Sequence, residues 1–325
     1  LDAIEDDYAT ASALADTDAR VAALEAYATD LDTLALLTDY LSVSGTTVIV
    51  EGANFVVRNG TGDSESADGT GNLVIGWNEA AGTETRSGSH NLVMGLRNEY
   101  TGFGSIVSGW DNTVEANGVM ALGSRNTSYT ADHTAGLVAF RSEVSDEFSS
   151  IISAWDSVNS GYAAVIVGGQ ENEARGDYGV IAGGYGNDVG DSSAIPEYAA
   201  VFGGYGNLAS GTYAVASGGD RGTASGEYSV ALGGNQGVSS GTATVVSGGE
   251  DNAASGDYAV VVGGAGNWAR GRSASICGGY TSGTTGNYAS ILGGLSNSAD
   301  HEYSTIVGGT GYYTDAQFDI GPGAW

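Results

Sequence analysis

Hydrophobic and small positions recur on a fixed step through most of this chain. Three consecutive phrases read "GEYSVALGG" (226–234), "GTATVVSGG" (241–249) and "GDYAVVVGG" (256–264). Within each phrase, inward-type and outward-type residues alternate with period 2, the signature of a strand. Each phrase ends on a glycine pair whose first members are Gly168, Gly183, Gly203, Gly218, Gly233, Gly248, Gly263, Gly278, Gly293 and Gly308. Their spacing is 15 residues, except for one step of 20 that carries the extra segment around Pro196. Two residues before the first glycine the side chain is always apolar, from Ile166 and Ile181 through Ile276, Ile291 and Ile306. Four before it the residue is small, as at Ala164, Ala214, Ser229, Ala259 and Ala289. These two positions share a strand face, and that face is read as the inside of a thin coil. The positions five, three and one before the glycine are read as the outer face of the same strand. They include a tyrosine column, and the column next to the glycine is mixed and uncharged.

A weaker form of the pattern runs upstream through "LVIGWN" (73–78), "LVMGLRN" (92–98), "IVSGWDN" (106–112) and "IISAWDS" (151–157). Internal periodicity of this length means a solenoid. The expected fold is mainly β: a parallel β-roll, or β-solenoid, of about sixteen turns of 14–15 residues. Asn recurs four after the first glycine (Asn172, Asn187, Asn207, Asn252, Asn267, Asn297), and "N-x-A-x-G" follows. Both Asn and Gly are read as corner residues, because both tolerate a left-handed backbone.

The first 41 residues differ in kind. They hold no Gly or Pro, and their apolar positions follow a helical period. Leu14, Val21, Leu24, Ala28 and Leu31 fit one heptad seam; Leu1, Ile4, Tyr8 and Ala11 fit a second phase, and Leu34, Leu37 and Leu41 a third. The pattern predicts a helical coiled-coil stalk over 1–41, with an amphipathic helix capping the solenoid as the alternative. Residues 42–72 read as a connector, with "TTVIVEG" and "NFVVRNG" as strands and "TGDSESADGTGN" as an exposed acidic loop. The roll is placed at 73–315 and a C-terminal cap at 316–325.

Composition sharpens this picture. Gly numbers 55 of 325 residues and Pro only 2, which excludes collagen-like and Pro-rich disordered chains. The chain has 39 acidic residues against 10 Arg and no Lys, for a net charge of −29. Such a charge repels nucleic acid and anionic membranes. Two readings of it stay open, a soluble extracellular protein and an adaptation to high salt. Cys277 is the single cysteine, so no intrachain disulfide is expected. No apolar run reaches membrane-spanning length, and no signal peptide is read. Beginning at Leu1 suggests a processed protein or a fragment.

No catalytic constellation stands out, and no cofactor or metal site is expected. His90, His133 and His301 fall in distant turns. Asp146, Glu147 and Asp156 read as solvated charges, although scattered cation binding by acidic loops stays open. Sequons at Asn59 and Asn126 are candidate glycan acceptors.

"YSVALGG" (228–234), preceded in the chain by a coiled-coil pattern, resembles the head repeats of trimeric autotransporter adhesins. Viral fibres, which also join coiled coils to β-rolls, are similar in layout. The resemblance covers roughly 73–315 and departs from the adhesins in its 15-residue step, its doubled glycine and its stalk-before-head order. It implies a homotrimer. The outer-face stripe Tyr178, Phe202, Tyr213, Leu232, Val262 and Leu292 is the expected trimer-facing surface. The expected function is a non-enzymatic extracellular fibre on a cell or virion surface, whose roll meets a receptor or a surface glycan. A purely structural filament or sheath subunit, and a carbohydrate-active enzyme on a β-solenoid, are the alternatives.

Overall fold

The structure is a computed structural model, described for residues 13–28, 38–80, 82, 84–128 and 137–321. The chain forms two compact units, residues 1–57 and 58–325.

In the first unit, residues 13–28 are α-helical and solvent-exposed along their whole length. Leu14, Val21 and Leu24 of the expected seam lie on this helix, all exposed. The remaining seam positions at 1, 4, 8, 11, 31, 34 and 37 lie outside the described residues. Leu41 does not extend a helix. It opens the strand Leu41–Ser44, which pairs antiparallel with Thr47–Val50 in a hairpin. A helix continuing through Leu41 is thereby ruled out: the β-branched run "TTVIV" favours a strand, and Gly45 (φ 61°) makes the tight turn. Residues 54–59, expected as a second strand, form none.

The second unit is a parallel β-solenoid of about sixteen turns. Its main sheet is one ladder of seventeen short strands, beginning with Leu73–Ile75 paired to Leu92–Leu96 and ending with Thr305–Ile306 paired to Ile320–Gly321. The ladder thus runs on into the stretch read as a C-terminal cap: Ile320 lies opposite Thr305 at the same 15-residue step. A second ladder of fourteen two-residue strands runs from Glu99–Tyr100 to Ser298–Ala299. Between the two, single-residue bridges link Gln170, Tyr185, Tyr205, Asp220 and their successors rung by rung.

The core is the thin space between these ladders. Ile151, Ile166, Ile181, Ile276, Ile291 and Ile306 are wholly buried from the main sheet, and Ala174, Ala209, Ala254, Ala269 and Ala299 from the second. The small residues four before the glycine are buried too, so the predicted inward parity holds at all ten Gly-Gly repeats. Upstream it does not always hold, since Val74 is exposed and in "IISAWDS" Ile151 points inward while Ile152 is exposed.

Two corner assignments are corrected. Asn172, Asn187, Asn207, Asn252, Asn267 and Asn297 are buried inside the coil and do not take the left-handed backbone. That conformation falls one residue earlier, at Glu171, Gly206, Asp251, Gly266 and Ser296. Each Asn instead bonds along the solenoid. Asn252 Nδ2 donates to Gly248 O (3.0 Å) and Gly264 O (2.9 Å), and its Oδ1 accepts the N–H of Asn267 (3.0 Å). The side chain thus satisfies backbone groups that the corners leave unpaired. Likewise, the glycine closing "N-x-A-x-G" is not left-handed. A Cβ at Gly211, Gly256 or Gly271 would strike the backbone of the next coil.

The extra five residues of the long step leave the pairing intact. Val180–Ile181 still sit opposite Ala200–Val201. The loop folds on itself through Asp191, whose Oδ1 accepts the N–H groups of Ser193 (2.7 Å) and Ala194 (2.9 Å).

Candidate functional site

Two surfaces of the roll and one groove carry features beyond folding. The first surface is the outer face of the main sheet. Its columns three and one before the glycine hold Val165, Val180, Ala200, Val215, Val230, Val245 and Val260, and Val167, Ala182, Phe202, Ser217, Leu232, Ser247, Val262, Cys277 and Leu292. From Leu73 to Ile320 neither column contains a charged residue, although the chain carries 49 charged side chains. Large and small residues alternate in the column beside the glycine, Phe202 against Ser217, Leu232 against Ser247, Val262 against Cys277. Adjacent rungs are about 4.8 Å apart, so the ridges repeat at about 9.6 Å with notches between them. Phe202, Leu232, Val262 and Leu292, four of the six stripe residues, stand on this face and are exposed.

The other two, Tyr178 and Tyr213, do not. They belong to the second surface, a corner of the coil. Tyr178, Tyr198, Tyr213, Tyr228, Tyr258, Tyr288 and Tyr303 all have φ between 55° and 62°, so they sit on a left-handed turn before the strand rather than on its outer face. Their rings stack along the axis. Tyr178, Tyr198, Tyr213 and Tyr228 follow one another at ring-centre distances of 4.9, 5.2 and 5.0 Å, nearly parallel. Tyr288, Tyr303 and Phe318 form a second stack at 4.9 and 5.1 Å. Their sequence alternation matches a strand, and only the turn conformation removes them from it. The left-handed φ belongs to the corner itself, since Ala163, Ala243 and Ser273 adopt it at the same position without a ring.

A groove of about 330 Å³ opens on the second sheet. Trp268 and Tyr313, three rungs apart in the same column, bound it, and Gly283 and Ser298 between them leave its floor low. Thr281, Thr285 and Ser296 add hydroxyls. Arg270 lays its guanidinium 5.6 Å from the Trp268 ring centre. Ser298 and Thr285 both donate to the Asp300 carboxylate, at 2.8 Å each. An aromatic platform beside fixed hydroxyls and a carboxylate suits a flat polyhydroxylated ligand: the ring meets C–H surface and the polar groups fix orientation. Sequence reading missed this groove. Trp268 and Tyr313 are 45 residues apart and meet only because the coil places them in one column.

Titration is perturbed at one half-buried carboxyl. Asp188 is raised to about 6, first by burial and then by Glu173, the residue opposite it on the neighbouring rung. On the N-terminal side of the roll, hydrogen bonds from Thr70 and Ser89 hold the Asp68 carboxyl below its ordinary range.

Among the sequons, Asn126 is excluded as an acceptor in the folded state. It is fully buried, and its Nδ2 donates to Ala139 O at 2.8 Å. Asn59 is half-buried, its amide held by Asp63 O at 3.1 Å. His90 and His301 lie at opposite ends of the roll; His133 is outside the described residues. Within the described residues, no helix is long and apolar enough to cross a membrane. Comparison with known proteins finds no family model that matches this chain and no curated protein that matches it.

Proposed function

We propose that this chain is a non-enzymatic fibre protein of an extracellular surface, cellular or viral. Three copies pack through the main sheet face, and the roll attaches to a receptor or surface glycan. The observation that carries the reading is the charge-free sheet face. A chain of net charge −29 with two long outer columns lacking any charge keeps that face suited to cover by uncharged surface. Sixteen steps of about 4.8 Å make the face about 77 Å long; at a width of about 10 Å it offers roughly 800 Å² of uncharged surface to be divided between two neighbours. The helix at 13–28 suits a parallel coiled coil that brings three chains together. The groove between Trp268 and Tyr313 supports glycan attachment.

The test is the mass of the full chain in solution, together with Leu232→Asp/Val262→Asp and Trp268→Ala. A trimer that the double substitution dissociates supports the reading, as does binding to a glycan array that Trp268→Ala abolishes. A monomeric full chain at all concentrations overturns it. A mass that grows without limit with concentration identifies a filament subunit instead.

A further inference from the structure

The aromatic stack at the coil corner is broken at Ala163, Ala243 and Ser273. Tyr162 covers the first break, edge-on to Phe148 and Tyr178 at 5.7 and 5.6 Å, and the other two differ. Ala243 and Ser273 occupy the aromatic position with the same left-handed backbone, at φ 54° and 55°. Each is held in the corner register. Ala243 N–H donates to Glu227 O at 2.8 Å, and Tyr258 N–H donates to Thr242 O at 2.8 Å. Ser273 N–H donates to Asp257 O at 2.7 Å, and Tyr288 N–H donates to Arg272 O at 2.8 Å. A missing ring thus leaves Tyr228 and Tyr258 two rungs apart, about 10 Å, and Tyr258 and Tyr288 likewise. One planar group fits between two rings at that spacing.

The chain fills one of the two gaps itself. In the Ser273 rung, Arg272 holds its guanidinium 5.7 Å from the Tyr258 ring centre. The equivalent residue of the Ala243 rung is Thr242, which cannot reach. The open gap shows in the exposures: Tyr228 and Tyr258 are each 52% exposed, against 42–46% for Tyr178, Tyr198, Tyr213, Tyr288 and Tyr303. Its rim is acidic, with Glu227 one rung below and Asp257 one rung above. The Asp257 carboxylate lies at the corner, accepting Thr242 N–H at 3.1 Å.

The occupant this gap selects is written elsewhere in the same molecule. Arg97 and Arg125 lie 4.9 and 5.1 Å from the ring centre of Trp110, on the rungs either side of it. Arg221 lies 5.7 Å from that of Tyr205. With Arg270 and Arg272, five of the ten arginines stack on exposed aromatic rings. A guanidinium is planar, weakly hydrated and cationic, so it meets ring faces and carboxylates together; an ammonium does not stack.

We propose that the gap over Ala243 is a binding slot for a guanidinium group, sandwiched between Tyr228 and Tyr258 and presented by an arginine side chain of a protein partner. The slot does not depend on the association proposed above, because the tyrosine corner and the sheet face are different columns.

The test titrates the full-length protein with N-acetyl-arginine amide and, in parallel, with N-acetyl-lysine amide, following the ring protons of Tyr228 and Tyr258 by NMR. The arginine probe is expected to give saturable shifts at these two rings, with affinity at least about tenfold above the lysine probe. Ala243→Tyr, which completes the stack, and Thr242→Arg, which fills the slot as Arg272 fills its neighbour, are each expected to abolish the shifts. Thr242→Arg is also expected to raise the melting temperature. The proposal is overturned if the arginine probe does not approach saturation by about 50 mM, if both probes bind alike, or if either folded variant still binds as wild type does.

Discussion

The backbone N–H of Ser282 donates to Oδ1 of Asn267, one full coil earlier, at 3.0 Å. The same Asn267 donates from Nδ2 to Gly263 O (3.0 Å) and Gly279 O (3.1 Å), so one buried side chain ties three coil positions together. Asn267→Ala strands these groups in the interior and should lower stability by about 2–4 kcal/mol. Asn267→Ser should lose less, because Ser157 and Ser282 already serve at this position with a hydroxyl. Chemical denaturation checks both; an alanine variant within about 0.5 kcal/mol of wild type would show that the ladder is dispensable.

Two glycines should respond oppositely to alanine. A Cβ at Gly256 collides with the Gly271 backbone, whereas nothing lies within 4 Å of one at Gly278, whose φ is ordinary. Gly256→Ala should lose about 2–4 kcal/mol and Gly278→Ala should stay within about 0.5 kcal/mol of wild type. Equal melting temperatures for the two variants would contradict the coil-to-coil spacing.

Asp188 makes stability depend on mild acid. Its folded value, about 6, lies above its ordinary 3.8 because burial and then Glu173 disfavour the charge. The folded state therefore holds a proton that the unfolded state has released between these values. Its contribution to stability is intact below pH 4, falls as pH rises toward about 6, and stays flat beyond. Asp188→Asn should remove that slope and stabilise the protein at pH 7 by about 1 kcal/mol, discounted for partial exposure. The check is a melting curve at each pH from 3.5 to 7.5 for both proteins; a slope unchanged in the variant would assign it elsewhere.

Added salt should raise the melting temperature by several degrees between about 0.05 M and 1 M. Screening at 1 M shortens the repulsion among an excess of 29 acidic charges to roughly 3 Å. A flat melting temperature across that range would remove the case for high-salt adaptation.

The inward columns were legible because they obey the simplest constraint available, one apolar side chain per coil at a fixed step. Spacing alone puts Ile166 and Ile276 inside, where they are wholly buried. The asparagines stand out in the sequence but read there as corners, since a fixed step does not distinguish a corner from a buried hydrogen-bonding position. Tyr178 and Tyr213 follow strand parity in the sequence, and only their left-handed φ takes them off the strand. The candidate slot and groove were illegible for another reason. Each is defined by a rung where the expected residue is missing, Ala243 in one case and Gly283 in the other, and an absence means something only once its neighbours are known in space.

The long step at Gly190–Pro196 shows how such a chain can change over time. Val180 and Ala200 remain partners across 20 residues, as Val165 and Val180 do across 15. The fold counts rungs rather than residues, so a corner absorbs added sequence while every downstream coil keeps its register. New loops can be sampled one at a time on a surface whose core has no knowledge of them. The molecule is a row of near-identical shelves, any one of which can be restocked without moving the others.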